Sequence, residues 1–122
     1  MWGAARAAVD SNTGHLLARL GDHAEAEHHH ARAARYYAST DHQRITALSL
    51  AAEGHAQYAQ GHIEHACTTW HRALDTMTGI HSQRTRQAAA AMRTGLNQPR
   101  HQHTHTAHNL NHRLRTWLHD GS

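Results

Sequence analysis

Small and apolar residues recur along this chain at helical spacing, in segments that short polar turns separate. Between residues 61 and 77, Ala66, Trp70, Ala73 and Met77 lie three or four positions apart, the spacing of one face of an α-helix. Strand signals are weak, because the chain has one valine, three isoleucines and no sustained alternation of apolar and polar residues. The pattern predicts an all-α fold of five to six helices, over about 4–20, 23–38, 42–59, 62–78, 82–96 and 100–118.

Small residues also repeat at an offset of 40. The matched pairs are Gly14 and Gly54, Gly21 and Gly61, Ala26 and Ala66, and Ala33 and Ala73. A glycine within a helix costs stability, so the first pair predicts close approach of a neighbouring helix. The second pair is placed to end that helix in a left-handed conformation, and the alanines share one face of the next helix. We therefore expect a single domain over 1–122. It would contain one repeat over about 4–38, a second over about 42–78, and a fifth helix and C-terminal cap over about 82–118.

Four residues predict where helices begin. Asp22, Asp41 and Ser82 are placed to cap the second, third and fifth helices with their side chains. Pro99 is placed to open the last helix, because proline is tolerated in a first turn.

The repeat resembles the tetratricopeptide repeat, a helical hairpin that stacks into a solenoid. Ala66-x3-Trp70 matches the A-x3-F element of that repeat, and Ala26-x3-His30 is a weaker first copy. Helical repeats leave a concave surface for a ligand. We expect this surface to come mostly from the first helix of each hairpin, with four candidate ligand-binding residues: His15, Arg19, Gln57 and Tyr58.

A narrower resemblance covers most of residues 12–120. The segment GHIEHACTTWHRALDTMTGIHSQRTRQAAAAMRTGL and the closing LNHRLRTWLHDGS resemble the C-terminal repeat region of bacterial, actinomycete-type helix-turn-helix regulators. The resemblance implies a sensor domain of a transcriptional regulator that binds a protein or peptide. We expect the DNA-binding domain of such a regulator to be missing from these 122 residues, since the repeats fill them. Exposed end helices would also allow a homodimer.

Charge and histidine content leave two other functions open. The 17 histidines include His101, His105, His108 and His112, which would share one helix face and could bind a transition metal adventitiously. Residues 76–122 hold six arginines and one acid, so this basic part could meet phosphates. We expect direct nucleic-acid binding to be the weaker alternative, because no groove-reading module is recognisable and only Trp117 offers a stacking ring there.

Other chemistry is not indicated. Cys67 and His71 have helical i, i+4 spacing, but no orienting group or oxyanion hole accompanies them, so Cys67 is expected to be a small buried residue. We expect neither an enzyme nor a cofactor. No apolar run approaches the roughly 20 residues of a membrane span, and the N-terminus lacks a secretory signal, so a cytoplasmic location without membrane contact is expected.

Overall fold

The structure, a computed structural model, describes residues 2–98 and 104–120. All regular elements in these ranges are helices: α1 (Trp2–Arg19), α2 (His23–Ser39), α3 (Gln43–Ala59), α4 (Ile63–Thr76), α5 (Gln83–Leu96) and α6 (His105–Asp120). The all-α prediction is confirmed. Predicted helix bounds agree to within two residues, except at the start of α6.

Successive helices pack against each other in the first two thirds of the chain. The most extensive contacts join α1 to α2, α2 to α3 and α3 to α4, and then α5 packs on α3 while α6 packs on α4 and α5. The main apolar core is concentrated in α3–α6, and none of the described side chains of α1 belongs to it. Its largest fully buried apolar side chains are Trp70, Leu74, Met77, Met92, Leu110 and Leu114.

Two helical glycines allow a ring from the next helix to approach, as the sequence predicts. A Cβ atom at Gly54 would lie 2.3 Å from Nε1 of Trp70, and one at Gly14 would lie 2.7 Å from Nε2 of His30. His30 and Trp70 are 40 residues apart, so the two rings occupy equivalent positions in the two repeats. Trp70 is fully buried and donates its Nε1 hydrogen to the carbonyl of Ala51 at 3.1 Å.

Three turns share one backbone geometry at intervals of 20 residues. The turn residues Gly21, Asp41 and Gly61 have φ values of 86°, 61° and 85°. In each turn the following amide donates to a carbonyl five residues earlier, from Asp22 to Leu17, from His42 to Tyr37 and from His62 to Gln57. This is the hydrogen bond of a Schellman motif, which satisfies carbonyls at a helix end. The offset of 40 in the sequence therefore spans two such turns.

Two of the four predicted helix starts are confirmed. The Asp22 side chain accepts from the Glu25 amide, and Ser82 forms a reciprocal capping box with Thr85. The prediction for Asp41 is wrong: it is the left-handed residue of its turn, and His42 precedes α3 without a side-chain cap. The predicted start of α6 at residue 100 is also wrong, since Thr104 is not helical. Pro99 itself lies outside the described residues.

None of the helices in the described ranges combines the length and apolar character that crossing a bilayer requires.

Candidate binding groove

An open groove of about 770 Å³ runs between α2 and α4, with α3 as its floor. On α2 the lining residues Ala31, Ala34 and Ala38 recur at helical spacing, and their small side chains leave the space open. Leu50 and Thr46 on α3 form a buried floor. The groove therefore offers a shallow apolar surface about as long as two helical turns.

Charged side chains border this apolar surface. Arg35 on α2 and Arg72 on α4 line opposite walls, and both are exposed. Neither forms a salt bridge with another residue in the described ranges. Asp75 also lines the groove, but its carboxylate is paired with Arg113 of α6. The guanidinium groups are therefore available to a ligand, while the carboxylate of Asp75 is occupied.

Glu53 lies half-buried on the groove floor, one turn along α3 from Leu50. Burial raises the pKa of this carboxyl group, because loss of hydration disfavours its charged form. The positive charge of Arg72 opposes that shift, whereas the nearby Glu27 adds to it. The charged form of Glu53 is thus costly to maintain on the groove floor.

Beyond Glu53 the space between the same three helices is filled by polar side chains. Gln57 is fully buried, and its Nε2 lies 3.1 Å from Glu27, 3.4 Å from Glu53 and 3.3 Å from His65. An amide nitrogen carries two hydrogens, so it can serve two of these three neighbours at once. Its Oε1 accepts from the Thr69 hydroxyl at 2.6 Å. This network closes one end of the groove and holds α2, α3 and α4 together.

The predicted ligand-binding residues do not form one surface. His15 is exposed beside a separate cleft, and Arg19 is exposed at the end of α1. The prediction that Gln57 lies on the binding surface is wrong, because its side chain is fully buried in the polar network. Tyr58 is half-buried, stacks on Trp70 and donates its hydroxyl hydrogen to the Gly95 carbonyl at 2.9 Å, so it joins α3 to α5.

No family model, no curated protein and no solved structure matches this chain.

The histidines proposed as metal ligands lie apart from the groove. His105, His108 and His112 are exposed on α6, and His101 lies outside the described residues. Within residues 2–98 and 104–120, no three His, Cys, Asp or Glu side chains converge well enough to hold an ion.

Cys67 and His71 are one helical turn apart on α4, and each has its own surroundings. Cys67 is fully buried, and burial, together with the charge of Glu64, raises the pKa of its thiol to about 11. A thiol with that pKa is protonated at neutral pH and is a poor nucleophile. His71 instead accepts a hydrogen bond from Arg113 at 3.0 Å, and burial and that positive charge lower the pKa of its ring.

The basic C-terminal part is not a uniform phosphate-binding face. Arg113 is bonded to His71 and Asp75, and Arg93 donates to Asn111 at 3.0 Å. Arg84 lines a separate cleft, and Arg100 lies outside the described residues. Some of the guanidinium groups in this part of the chain are thus already hydrogen-bonded within the protein.

Sequence reasoning missed Arg35, Arg72 and the alanines of the groove wall. The spacing of Ala31, Ala34 and Ala38 was the available signal, but buried helix contacts use alanine at the same spacing.

Proposed function

We propose that this chain is a peptide- or protein-binding module whose binding site is the groove between α2, α3 and α4. The observation that carries the proposal is an open groove of about 770 Å³ with two exposed guanidinium groups on opposite walls. Ligand sites typically combine an apolar surface with a few placed polar groups. A peptide with a small apolar side chain against Ala34 and Leu50 and a carboxylate between Arg35 and Arg72 would complement this arrangement.

The sequence resemblance supports a regulatory setting for this module. Residues 61–96 are the segment that most resembles the repeat region of helix-turn-helix regulators. Helix α4 lies within that segment and supplies Arg72 and one wall of the groove. A ligand in the groove would therefore contact the segment that resembles the regulators. We therefore propose that the chain is the sensor part of a transcriptional regulator.

Selection from a library of short peptides tests the groove. Peptides selected with the native chain are measured against Ala38→Trp, which fills the groove, and Ala24→Trp, a matched control at an exposed position of α2 outside it. We expect affinity to fall roughly tenfold or more in the groove variant, and carboxylate-bearing peptides to weaken also with Arg72→Gln. Equal affinity of the two tryptophan variants for the selected peptides would show that binding occurs elsewhere.

We also propose a second copy of the chain as a partner on α1. Val9 and Leu16 are 62% and 50% exposed on one face of this helix, and Leu20, directly after its last residue, is 73% exposed. In an antiparallel pair centred between Asn12 and Thr13, Val9 of each copy would face Leu16 of the other, which suits a two-fold interface. A contact between two helices is small, so a weak dimer is expected.

Sedimentation over a range of concentrations should show a dimer that Leu16→Glu abolishes. A native chain that remains monomeric at every concentration would exclude this dimer.

A further inference from the structure

A second cleft follows a different face of α3 from the one that floors the groove. Two adjoining cavities of about 150 and 180 Å³ share His15 of α1 and His30 of α2. The first extends past Ser49 of α3 to Arg84 of α5, and the second extends to His23 and His55. Cavities of this size limit a ligand to a small molecule.

The described side chains around this cleft offer several hydrogen-bond donors and one permanent positive charge. The permanent charge is that of Arg84, and His15, His23, His30 and His55 contribute ring nitrogens. Ser11, Tyr37 and Ser49 add hydroxyl groups, and no carboxylate stands among the described residues that line either cavity. Asp10, nearby on α1, is already bound to Arg32 at 2.7 Å and to His29 at 2.9 Å. The cleft is therefore electrostatically suited to an anion.

His30 supplies an independent indication of a missing partner. It is 2% exposed, and its buried Nδ1 has no hydrogen-bond partner among the described residues. The equivalent ring of Trp70 donates to the Ala51 carbonyl, so the second repeat satisfies its ring and the first does not. Buried polar atoms without a partner are rare and destabilising, and a ligand that bonded to Nδ1 would remove that cost.

We propose that this cleft binds a small molecule that carries a carboxylate or phosphate group. Arg84 contacts the anionic group, and the His30 ring, in the tautomer with hydrogen on Nδ1, turns toward the ligand and donates to one of its oxygens. Ser11 and Ser49 hydroxyls, which line the same cavity, complete the polar contacts. This site is separate from the peptide groove and does not depend on the function proposed for it.

Titration with inorganic phosphate and, separately, with malonate tests the site at constant ionic strength. Side-chain ¹⁵N spectra report directly on His30 Nδ1. The test variant is Arg84→Gln, and the matched control is Arg115→Gln, which removes the same charge from an exposed position of α6. We expect saturable shifts at His15, His30 and Ser49, an apparent Kd roughly tenfold higher in the test variant, and no change in the control.

The two probes distinguish the sources of the anionic group, since binding of only one would assign the site to phosphates or to carboxylates. Equal weakening by both arginine variants, or shifts that do not saturate with either probe, would overturn the proposal. His30→Leu removes the ring nitrogens, and if it folds it should also lose the shifts. Ala38→Trp, which blocks the groove, should leave anion binding unchanged, so failure of one site is separable from failure of the other.

Discussion

His30 and Trp70 have the same place in their repeats, yet their surroundings differ in one respect. Each ring covers a helical glycine, at Gly14 and Gly54. The Trp70 nitrogen is hydrogen-bonded, whereas His30 Nδ1 is not. Burial, reinforced by the charges of His15, His29 and His55, lowers the pKa of His30 to about 4 from 6.5. The first repeat therefore has a titratable ring where the second has an aromatic residue that does not titrate.

This difference predicts loss of stability on mild acidification. The unfolded chain takes up a proton at His30 below its unfolded pKa of 6.5, whereas the folded chain resists protonation until about pH 4. The unfolded state thus binds more protons in this window, and the free energy of unfolding should fall by roughly 2–3 kcal/mol from pH 7.5 to 4.5. Burial lowers the pKa of His55 and His71 as well, so their contributions have the same sign.

Urea denaturation at the two pH values, with the native chain and His30→Phe, measures the effect. The variant keeps a ring over Gly14 but cannot titrate, so its pH dependence should be smaller by most of that amount. Equal pH dependence in the two chains would mean that His30 is not buried as a neutral ring.

Truncation of Trp70 tests the packing of the second repeat. The side chain is fully buried, stacks on Tyr58 and is hydrogen-bonded to Ala51. Trp70→Ala should cost about 3–5 kcal/mol, which is enough to unfold much of a domain of this size. Thermal melting by circular dichroism is the measurement, and an unchanged midpoint would contradict the assignment of Trp70 to the core.

At the scale of helices and turns, the feature common to the first half of the chain is the left-handed residue that ends α1, α2 and α3. Gly21 and Gly61 have open space where a Cβ atom would lie, so their role is conformational and not one of packing. Asp41 adopts a similar φ although it has a side chain. Aspartate tolerates this region better than most residues, but less well than glycine.

Reciprocal substitutions at two of these turns should have opposite effects. Gly61→Ala should destabilise by about 1–2 kcal/mol, since a left-handed φ of 85° is unfavourable for alanine and no contact compensates. Asp41→Gly should be neutral or stabilise by up to about 1 kcal/mol, because strain relief outweighs the extra freedom of the unfolded chain. Urea denaturation gives both values. Destabilisation by Asp41→Gly would show that its carboxylate contributes more than the strain costs.

A feature was predictable where the residue type has one common structural cause. It was not predictable where the same residue type is favoured in two different local structures. A glycine inside a helix, as at Gly54, points to close packing because few other causes place it there. Aspartate is favoured both as a cap and in left-handed turns, so Asp41 could not be assigned by its residue type. The start of α6 was missed because a proline permits a first turn without requiring one.

The binding surfaces were less predictable than the helices. The groove requires α2 and α4 to lie on either side of α3, an arrangement that no single helix specifies. Gln57 has the polarity of a surface residue, yet it is buried because Glu27, Thr69 and His65 surround it. Periodicity cannot reveal partners that come from three different helices.

For the molecule as a whole, the core is unevenly distributed. Trp117, Leu114 and Leu110 anchor the histidine-rich α6 in the main cluster. In contrast, no described side chain of α1 belongs to that cluster, and its contacts with α2 include those of Asp10 and the glycine–ring pairs at Gly3 and Gly14. Few buried apolar contacts are a mark of local opening at low free energy.

The rates of amide hydrogen exchange should therefore differ between the helices. Amides in the middle of α1 are expected to exchange faster than those of α3, α4 and α6 under native conditions, since α1 can detach without exposing the main core. Exchange measured by NMR at neutral pH, residue by residue, gives the order. Protection of α1 equal to that of α3 would instead indicate one cooperative unit or a partner that covers α1.

The exposed turns at Gly21 and Gly61 also determine which insertions into the chain would preserve its helices. A tandem duplication of residues 22–61 would place Asp22 directly after Gly61, and both would keep backbone angles they already have. The new copy would bring its own helical glycine and covering ring. An insertion of one residue within a helix would instead rotate the buried face by about 100°. Gene duplications in steps of 40 residues are thus the length changes that this backbone accommodates most readily.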